Sequence, residues 1–401
     1  MDTQAKKKPV YARPLSLLTL GHAVVDLSPG ALPVLLPLLK SLFGLTYAQV
    51  GIIVMAQNIT SSVIQPLFGY LSDRLPTPWL VPLGILFSGV GMALTGHATS
   101  FPLLLVIVML TGFGVAAFHP QGSKGAHFVS TPERRGQDMA IFSVGGQFGF
   151  SLGTIAMALL ITLPGGITNT TYFGPPAIIT AALLWLNMAQ LSHRTPPVQA
   201  AAHKRQATRG PLPYLLLTIL LTYILFRSTI AAGLSTYIPL YYVDHLKGSP
   251  AYAGYLLSIY TMTGVLGTFV GGILSDRLGR KTVIILSLAI TWPLIALFPY
   301  TTGLTTLALV GTIGFTLVAS SSPTLVLAQE MMPGYEAMAA GLTTGFSIGL
   351  GGVGATVLGV VADSFGINSV FLALAVLPVG TIITGFFLPG KWFRREIPSA
   401  Q

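Results

Sequence analysis

Polar positions are scarce along this chain and gather at intervals, leaving twelve long apolar runs between them. The runs fall at about residues 15–39, 48–71, 79–96, 101–125, 138–162, 172–192, 213–240, 251–275, 282–300, 304–329, 337–362 and 368–389. A helix needs roughly 20 residues to cross the hydrocarbon core, and every run is near or above that length. Backbone N–H and C=O groups in lipid must be satisfied within the segment, so the runs predict membrane-spanning α-helices. An even number of spans puts both chain ends on one side of the membrane.

One polar interval is repeated. The stretch Gly69-Tyr-Leu-Ser-Asp73-Arg74, between spans 2 and 3, returns as Gly272-Ile-Leu-Ser-Asp276-Arg277-Leu-Gly279-Arg280-Lys281, between spans 8 and 9. The offset is 203 residues, close to half of the 401-residue chain. Phe142-Ser-Val-Gly145 reappears as Phe346-Ser-Ile-Gly349, and Phe118-His119-Pro120 aligns with Ser321-Ser322-Pro323. Self-similarity at half length, punctuating apolar spans, is the sequence signature of a transporter built from two related halves. Residues 1–192 and 213–401 are the expected six-helix bundles. The polar, basic, proline-containing stretch 193–212 is the expected cytoplasmic linker.

Composition changes the picture by exclusion. Charged residues make up 8% of the chain and hydrophobic ones 52%, against roughly 25% charged in a soluble domain. With no cysteine, disulfides, thiolate metal sites and thiol redox chemistry are ruled out. The net charge of +10 resolves into topology: with both ends inside, 17 of the 21 Lys and Arg residues lie on the inner face. The opposite orientation would break the positive-inside rule. The basic excess therefore reports orientation and not a nucleic-acid surface. Lys6 to Lys8 precede an apolar stretch too long for a signal-peptide core, which reads as the first span.

The second copy of the repeated loop, G-x-x-x-D-R-x-G-R-K, is very similar to the signature loop of the major facilitator superfamily. The first copy keeps Gly69, Asp73 and Arg74 but carries Pro76-Thr77-Pro78 where Gly-Arg-Lys is expected. Further segments resemble the fosmidomycin resistance protein branch of that superfamily. They are Gly21-His22-x-x-x-Asp26, Gln65-Pro66-x-x-Gly69-Tyr70, Phe118-His119-Pro120, Val144-Gly-Gly-Gln147-Phe-Gly149 and Gly349-x-Gly-Gly-Val-Gly354. The resemblance runs from about residue 15 to 389. It implies twelve transmembrane helices in two pseudo-symmetric bundles, alternating access, and proton-driven drug efflux with a phosphonate antibiotic as namesake substrate. It also makes Gly69, Asp73, Arg74, Gly272, Asp276, Arg277, Gly279, Arg280 and Lys281 candidate gating residues.

Ionisable side chains inside spans carry the candidate chemistry, because each costs at least ~2.5 kcal/mol on insertion scales. Asp26 lies midway along span 1, with His22 one turn earlier on the same face. Pro29, Gly30, Pro33 and Pro37 follow and weaken the backbone ladder. Asp26, with His22, is the candidate proton carrier; a structural acid bonded to its neighbours is the alternative. Arg227, deep in span 7, is either an anion-binding group or the partner of an acid such as Asp26. His119 precedes Pro120 at an expected kink in span 4, and Lys124 is placed to snorkel. Asp138, Glu330 and Glu336 fall near inner helix ends. Gln57, Asn58, Gln147, Tyr237 and Tyr241 are the remaining candidate substrate contacts.

No phosphate-binding G-x-x-x-x-G-K-[ST] loop, clustered metal ligands or nucleophile motif is present in the sequence, so no cofactor, metal or enzymatic reaction is expected. The expectation is a monomeric secondary transporter in the cytoplasmic membrane, both termini cytoplasmic. Its partners are the bilayer, protons and a small anionic or amphiphilic substrate, with no nucleic acid. Efflux is the preferred direction. Ion-coupled import of an organic anion and a non-transporting receptor or scaffold are the alternatives.

Overall fold

The computed structural model describes residues 12–75, 77–130, 135–188, 214–332, 339 and 342–389. The linker 193–212, the side chains of Asp73, Arg74 and Arg135, and Arg134, Glu336, Lys391, Arg394 and Arg395 lie outside the described residues.

The first half comprises α1 (Ala12–Phe43), α2 (Tyr47–Val63), α3 (Gln65–Arg74), α4 (Leu80–Thr95), α5 (Phe101–Val129), α6 (Arg135–Leu160) and α7 (Gly174–Leu186). The second comprises α8 (Tyr214–Leu240), α9 (Pro250–Leu278), α10 (Arg280–Leu297), α11 (Gly303–Ala319), α12 (Ser321–Met331), α13 (Ser347–Phe365) and α14 (Ile367–Phe387). Spans 2 and 10 are each broken once, α2 giving way to α3 where Pro66 removes a donor, and α11 to α12 at Ser320. Counting each broken pair as one gives the twelve expected spans. Among the described residues, ten are long and apolar enough to cross a membrane unaided; α4 and α7 are shorter. Span 6 is also shorter than its apolar run. Residues Gly166–Phe173 form a 3₁₀ stretch, and the α-helix starts only at Gly174, followed by Pro175 and Pro176.

Three long helices begin with side-chain caps at the same end of the bundle. Thr46 and Gln49 form a capping box on α2, Ser100 accepts from Leu103 N on α5, and Ser249 accepts from Tyr252 N on α9. The opposite end gathers the repeated loop and the described chain ends. Lys281 donates to the carbonyl of Phe386 near the end of α14, and Arg13 donates to Asn187 beyond α7. At the repeated loop, Arg280 bonds Asp276 and Ser275 and lies 3.6 Å from Glu330. Gly279 sits at φ +93°, ψ 148°, which lets α9 end and α10 begin within one residue.

Close backbone contact holds the halves in shape. In the first, α1 packs on α6, and Cβ atoms at Gly149 and Gly153 would overlap the carbonyl oxygens of Ala23 and Leu27. In lipid no hydrophobic drive separates helix from helix, so association rests on such close packing. The equivalent pair in the second half is α8 and α13. Between halves, α2 meets α13 and α6 meets α9, exchanged by the same two-fold relation.

Gly149→Ala is expected to destabilise the protein by about 1–3 kcal/mol, because the carbonyl it meets is backbone and cannot swing away. Gly174→Ala, with ordinary van der Waals space at 3.6 Å, is the control. Melting in detergent should fall by several degrees for the first variant and stay near wild type for the second.

Candidate functional site

Between the two halves lies a cavity of about 490 Å³, a size suited to a small organic molecule. Its first-half wall carries Asp26, Gln57, Asn58, His119 and Gln147, and its second-half wall carries Arg227. Most of the lining is apolar, so the few polar groups dominate what can be recognised. Two of these, Gln57 Nε2 and Ser151 Oγ, are buried without a hydrogen-bond partner among the described residues. Unpaired buried polar atoms are costly, and a cavity wall is where a ligand can satisfy them.

On the first-half wall, helical spacing puts His22 and Asp26 on one face of α1, and α5 brings His119 up to both. Asp26 Oδ2 lies 3.3 Å from His22 Nε2, and Asp26 Oδ1 lies 3.5 Å from His119 Nε2. The two Nε2 atoms are 3.3 Å apart. Each ring is oriented by its other nitrogen: His22 Nδ1 is 2.7 Å from the Phe142 carbonyl, and His119 Nδ1 is 2.9 Å from that of Val115. His22 is enclosed by Phe118 and Phe142, the latter stacked at 4.2 Å. Gly146 of α6 completes the enclosure, since a Cβ there would overlap His22 and lie 2.7 Å from Asp26 Oδ2. No sequence spacing links His119 to residues 22 and 26, so this cluster of potential metal ligands was invisible to motif reading.

On the second-half wall, Arg227 Nε donates to Ser320 Oγ at 2.8 Å, and Nη2 donates to Ser321 Oγ. Both serines flank the break between α11 and α12. The position equivalent to Asp26 under the 203-residue offset is Thr229, two residues from Arg227; the equivalent of His119 is Ser322. The two half-sites thus lie on corresponding helices but not at corresponding residues, an acid with two histidines facing a guanidinium with two hydroxyls. Arg227 makes no ion pair among the described residues, and Asp26 pairs with histidines. The Asp26–Arg227 pairing allowed by the sequence is absent from this arrangement. Arg227 remains a cation held by neutral hydroxyls on a cavity wall.

Two sequence candidates lie elsewhere. Tyr237 is fully buried and donates to the Ala355 carbonyl at 2.7 Å. Tyr241 packs among His245, Phe298 and Phe371 and reaches the Pro299 carbonyl. Neither lines the cavity: both rings point along helix faces buried against neighbouring helices. Of the loop residues, Gly69 and Gly272 sit next to Pro120 and Ser322 respectively, which couples each repeated loop to the helix bearing its half-site.

A family model described as Major Facilitator Superfamily matches residues 18–353 and 224–400. The chain belongs to the major facilitator superfamily. It is 35% identical over 385 residues to the fosmidomycin resistance protein of Escherichia coli (strain K12), covering 94% of this chain and 92% of that one. It is 31% identical over 389 residues to an uncharacterized MFS-type transporter of Bacillus subtilis (strain 168), covering 95% and 94%. A bacterial homolog of the human lysosomal transporter Spinster, solved inward-facing and occupied, superposes with TM-score 0.76 at 18% identity over 95% of both chains. This is therefore a multi-pass membrane transporter of that superfamily and not an enzyme.

At the capped end of the transporter, several contacts join the two halves. Lys40 at the end of α1 pairs with Asp244 beyond α8 at 3.0 Å. Asp363 of α13 accepts from Tyr47 N at 2.8 Å and Ala48 N at 2.9 Å, capping α2 across the interface. Gly51 and Gly359 allow the α2 and α13 backbones to touch there. Asp363→Ala removes a cap worth about 0.5–2 kcal/mol. Opening at this end should then rise between about twofold and thirtyfold. With a single cysteine at Ser235 on the cavity wall, the rate of modification by an impermeant thiol reagent from that side reads the change.

Proposed function

We propose that this transporter exports a small anionic compound in exchange for protons, its two halves rocking about the central cavity. The observation that carries the reading is the pairing of walls: an arginine without an acid partner faces a carboxylate–dihistidine cluster across a mostly apolar space. A guanidinium held by two serines keeps its remaining donors for a phosphonate or carboxylate. On the facing wall, Asp26 and the two histidines can exchange protons, and a proton taken there alters the charge that an entering anion meets. That coupling of one site's charge to the other's occupancy is what an antiporter needs. Export of a drug-like anion is favoured by the relative whose name is tied to fosmidomycin resistance.

Orientation follows from charge. With the repeated loops and both termini on the cytoplasmic side, the capped end faces outward and the cavity is poised to load from inside. A purely structural scaffold gives no reason to hold an unpaired arginine and an unpaired Gln57 amide on the wall of a cavity.

Reconstitution into proteoliposomes tests the proposal, with fosmidomycin as the probe anion and an imposed pH gradient. Asp26→Asn is expected to abolish gradient-driven movement while counterflow of labelled probe against unlabelled probe persists. Full gradient-driven transport in that variant removes Asp26 from the coupling.

The arginine is tested by binding. Arg227→Lys loses the planar fork and Arg227→Ala the charge. A charge-assisted hydrogen bond contributes about 1.5–3 kcal/mol, so affinity should fall roughly tenfold or more for alanine and by less for lysine. Equal affinity in Arg227→Ala and wild type, measured by equilibrium binding in detergent, rejects an anionic substrate bound at this residue.

A further inference from the structure

The His22–Asp26–His119 cluster has more organisation than proton exchange requires. A carbonyl oxygen can only accept, so the contacts of both Nδ1 atoms with backbone carbonyls place a proton on each Nδ1. In the neutral rings both Nε2 atoms then present lone pairs. These face each other and the two oxygens of one carboxylate, a group of acceptors with no donor among them.

The spacing discriminates between fillings. Direct charge-assisted N–H···O bonds are about 2.7–2.9 Å long, shorter than the 3.3 and 3.5 Å found between Asp26 and the two rings. Ligands at the corners of a tetrahedron around Zn²⁺, with metal–ligand bonds of about 2.0–2.1 Å, lie about 3.3–3.4 Å apart. The two Nε2 atoms are 3.3 Å apart, within that range, and each faces its own carboxylate oxygen, Oδ2 at 3.3 Å from His22 and Oδ1 at 3.5 Å from His119; one ligand atom from each of the three residues lies within 4.8 Å of the others. Both histidines also carry the second-shell bond typical of metal ligands, Nδ1–H to a carbonyl, which fixes the tautomer and aims Nε2. The absence of a Cβ at Gly146 lets the α6 backbone pack directly against His22 and Asp26, which holds both side chains in place. Phe118 and Phe142 wall off the far side.

We infer that His22, Asp26 and His119 form a binding site for a divalent transition-metal ion of the Zn²⁺ type. Two imidazoles and one carboxylate are its protein ligands, and the fourth position opens on the central cavity. The set contains no thiolate and only one carboxylate, which favours Zn²⁺, Co²⁺ or Ni²⁺ over Mg²⁺ or Ca²⁺. The open corner can take water or an anionic oxygen of a bound solute. The site stands on geometry alone. A protein that bound Zn²⁺ and transported nothing would leave it intact, whereas transport without Zn²⁺ binding would remove it.

The test is a Zn²⁺ titration of the purified, tag-free, full-length protein in detergent against a chromophoric chelator. One ion per chain is expected. His119→Ala should weaken binding at least tenfold, and His97→Ala, in an exposed position away from the cluster, should leave it unchanged. Co²⁺ loaded in place of Zn²⁺ should give the visible absorption of a low-coordinate ion in wild type and lose it in His119→Ala. If alanine compromises folding, His119→Gln, judged by monodisperse gel filtration, replaces it. Absence of one-to-one Zn²⁺ binding, or wild-type affinity retained in folded variants of both His22 and His119, overturns the site.

Discussion

A carboxylate in the middle of a bilayer must find its compensation inside the protein, and that requirement organises this molecule. Asp26 sits among groups that can share charge with it, and both histidines are anchored to carbonyls on two other helices. Bringing α5 and α6 that close to α1 demands glycine where backbones nearly touch. Gly146 and Gly149 meet that demand on α6. The buried acid and the small-residue seam are therefore parts of one constraint: without the seam, the acid would face lipid or an empty crevice.

The duplicated architecture turns this local solution into a site with two faces. Neighbouring but not equivalent places in the two halves hold an acid with imidazoles and a guanidinium with hydroxyls, so the repeat supplies similar scaffolds that carry different chemistry. Serine hydroxyls orient Arg227 without neutralising it. The wall opposite holds the negative group equally far from full compensation by a permanent cation. An apolar cavity between such walls has a low local dielectric, in which charge on one wall is felt strongly by anything bound at the other. The halves are joined at one end by different means, an ion pair at Lys40–Asp244 and a carboxylate cap from Asp363 onto α2. The same end also carries the close backbone contact of α2 with α13 at Gly51 and Gly359.

Twelve spans, the half-length repeat and the membrane class were legible in the chain because each is a one-dimensional property. Apolar length reports a span, the 203-residue offset reports duplication, and the scarcity of charge reports lipid. Asp26, His119, Gln57, Asn58, Gln147 and Arg227 stood out as polar residues in apolar surroundings, and all of them reach the cavity wall. Tyr237 and Tyr241 stood out for the same reason but serve packing, because an aromatic ring with one hydroxyl satisfies itself on a single backbone carbonyl.

What the chain alone could not decide is partnership. Arg227 was compatible with Asp26 or with an anion until the fold placed it against Ser320 and Ser321. His119 carried no sequence link to His22, yet lies 3.3 Å from it. Span count and candidate polar positions are set by local composition, since the bilayer imposes one length and one polarity on every segment. Which polar groups meet is set by helix rotation and by the depth at which small residues let backbones approach. Those quantities exist only once the helices have packed.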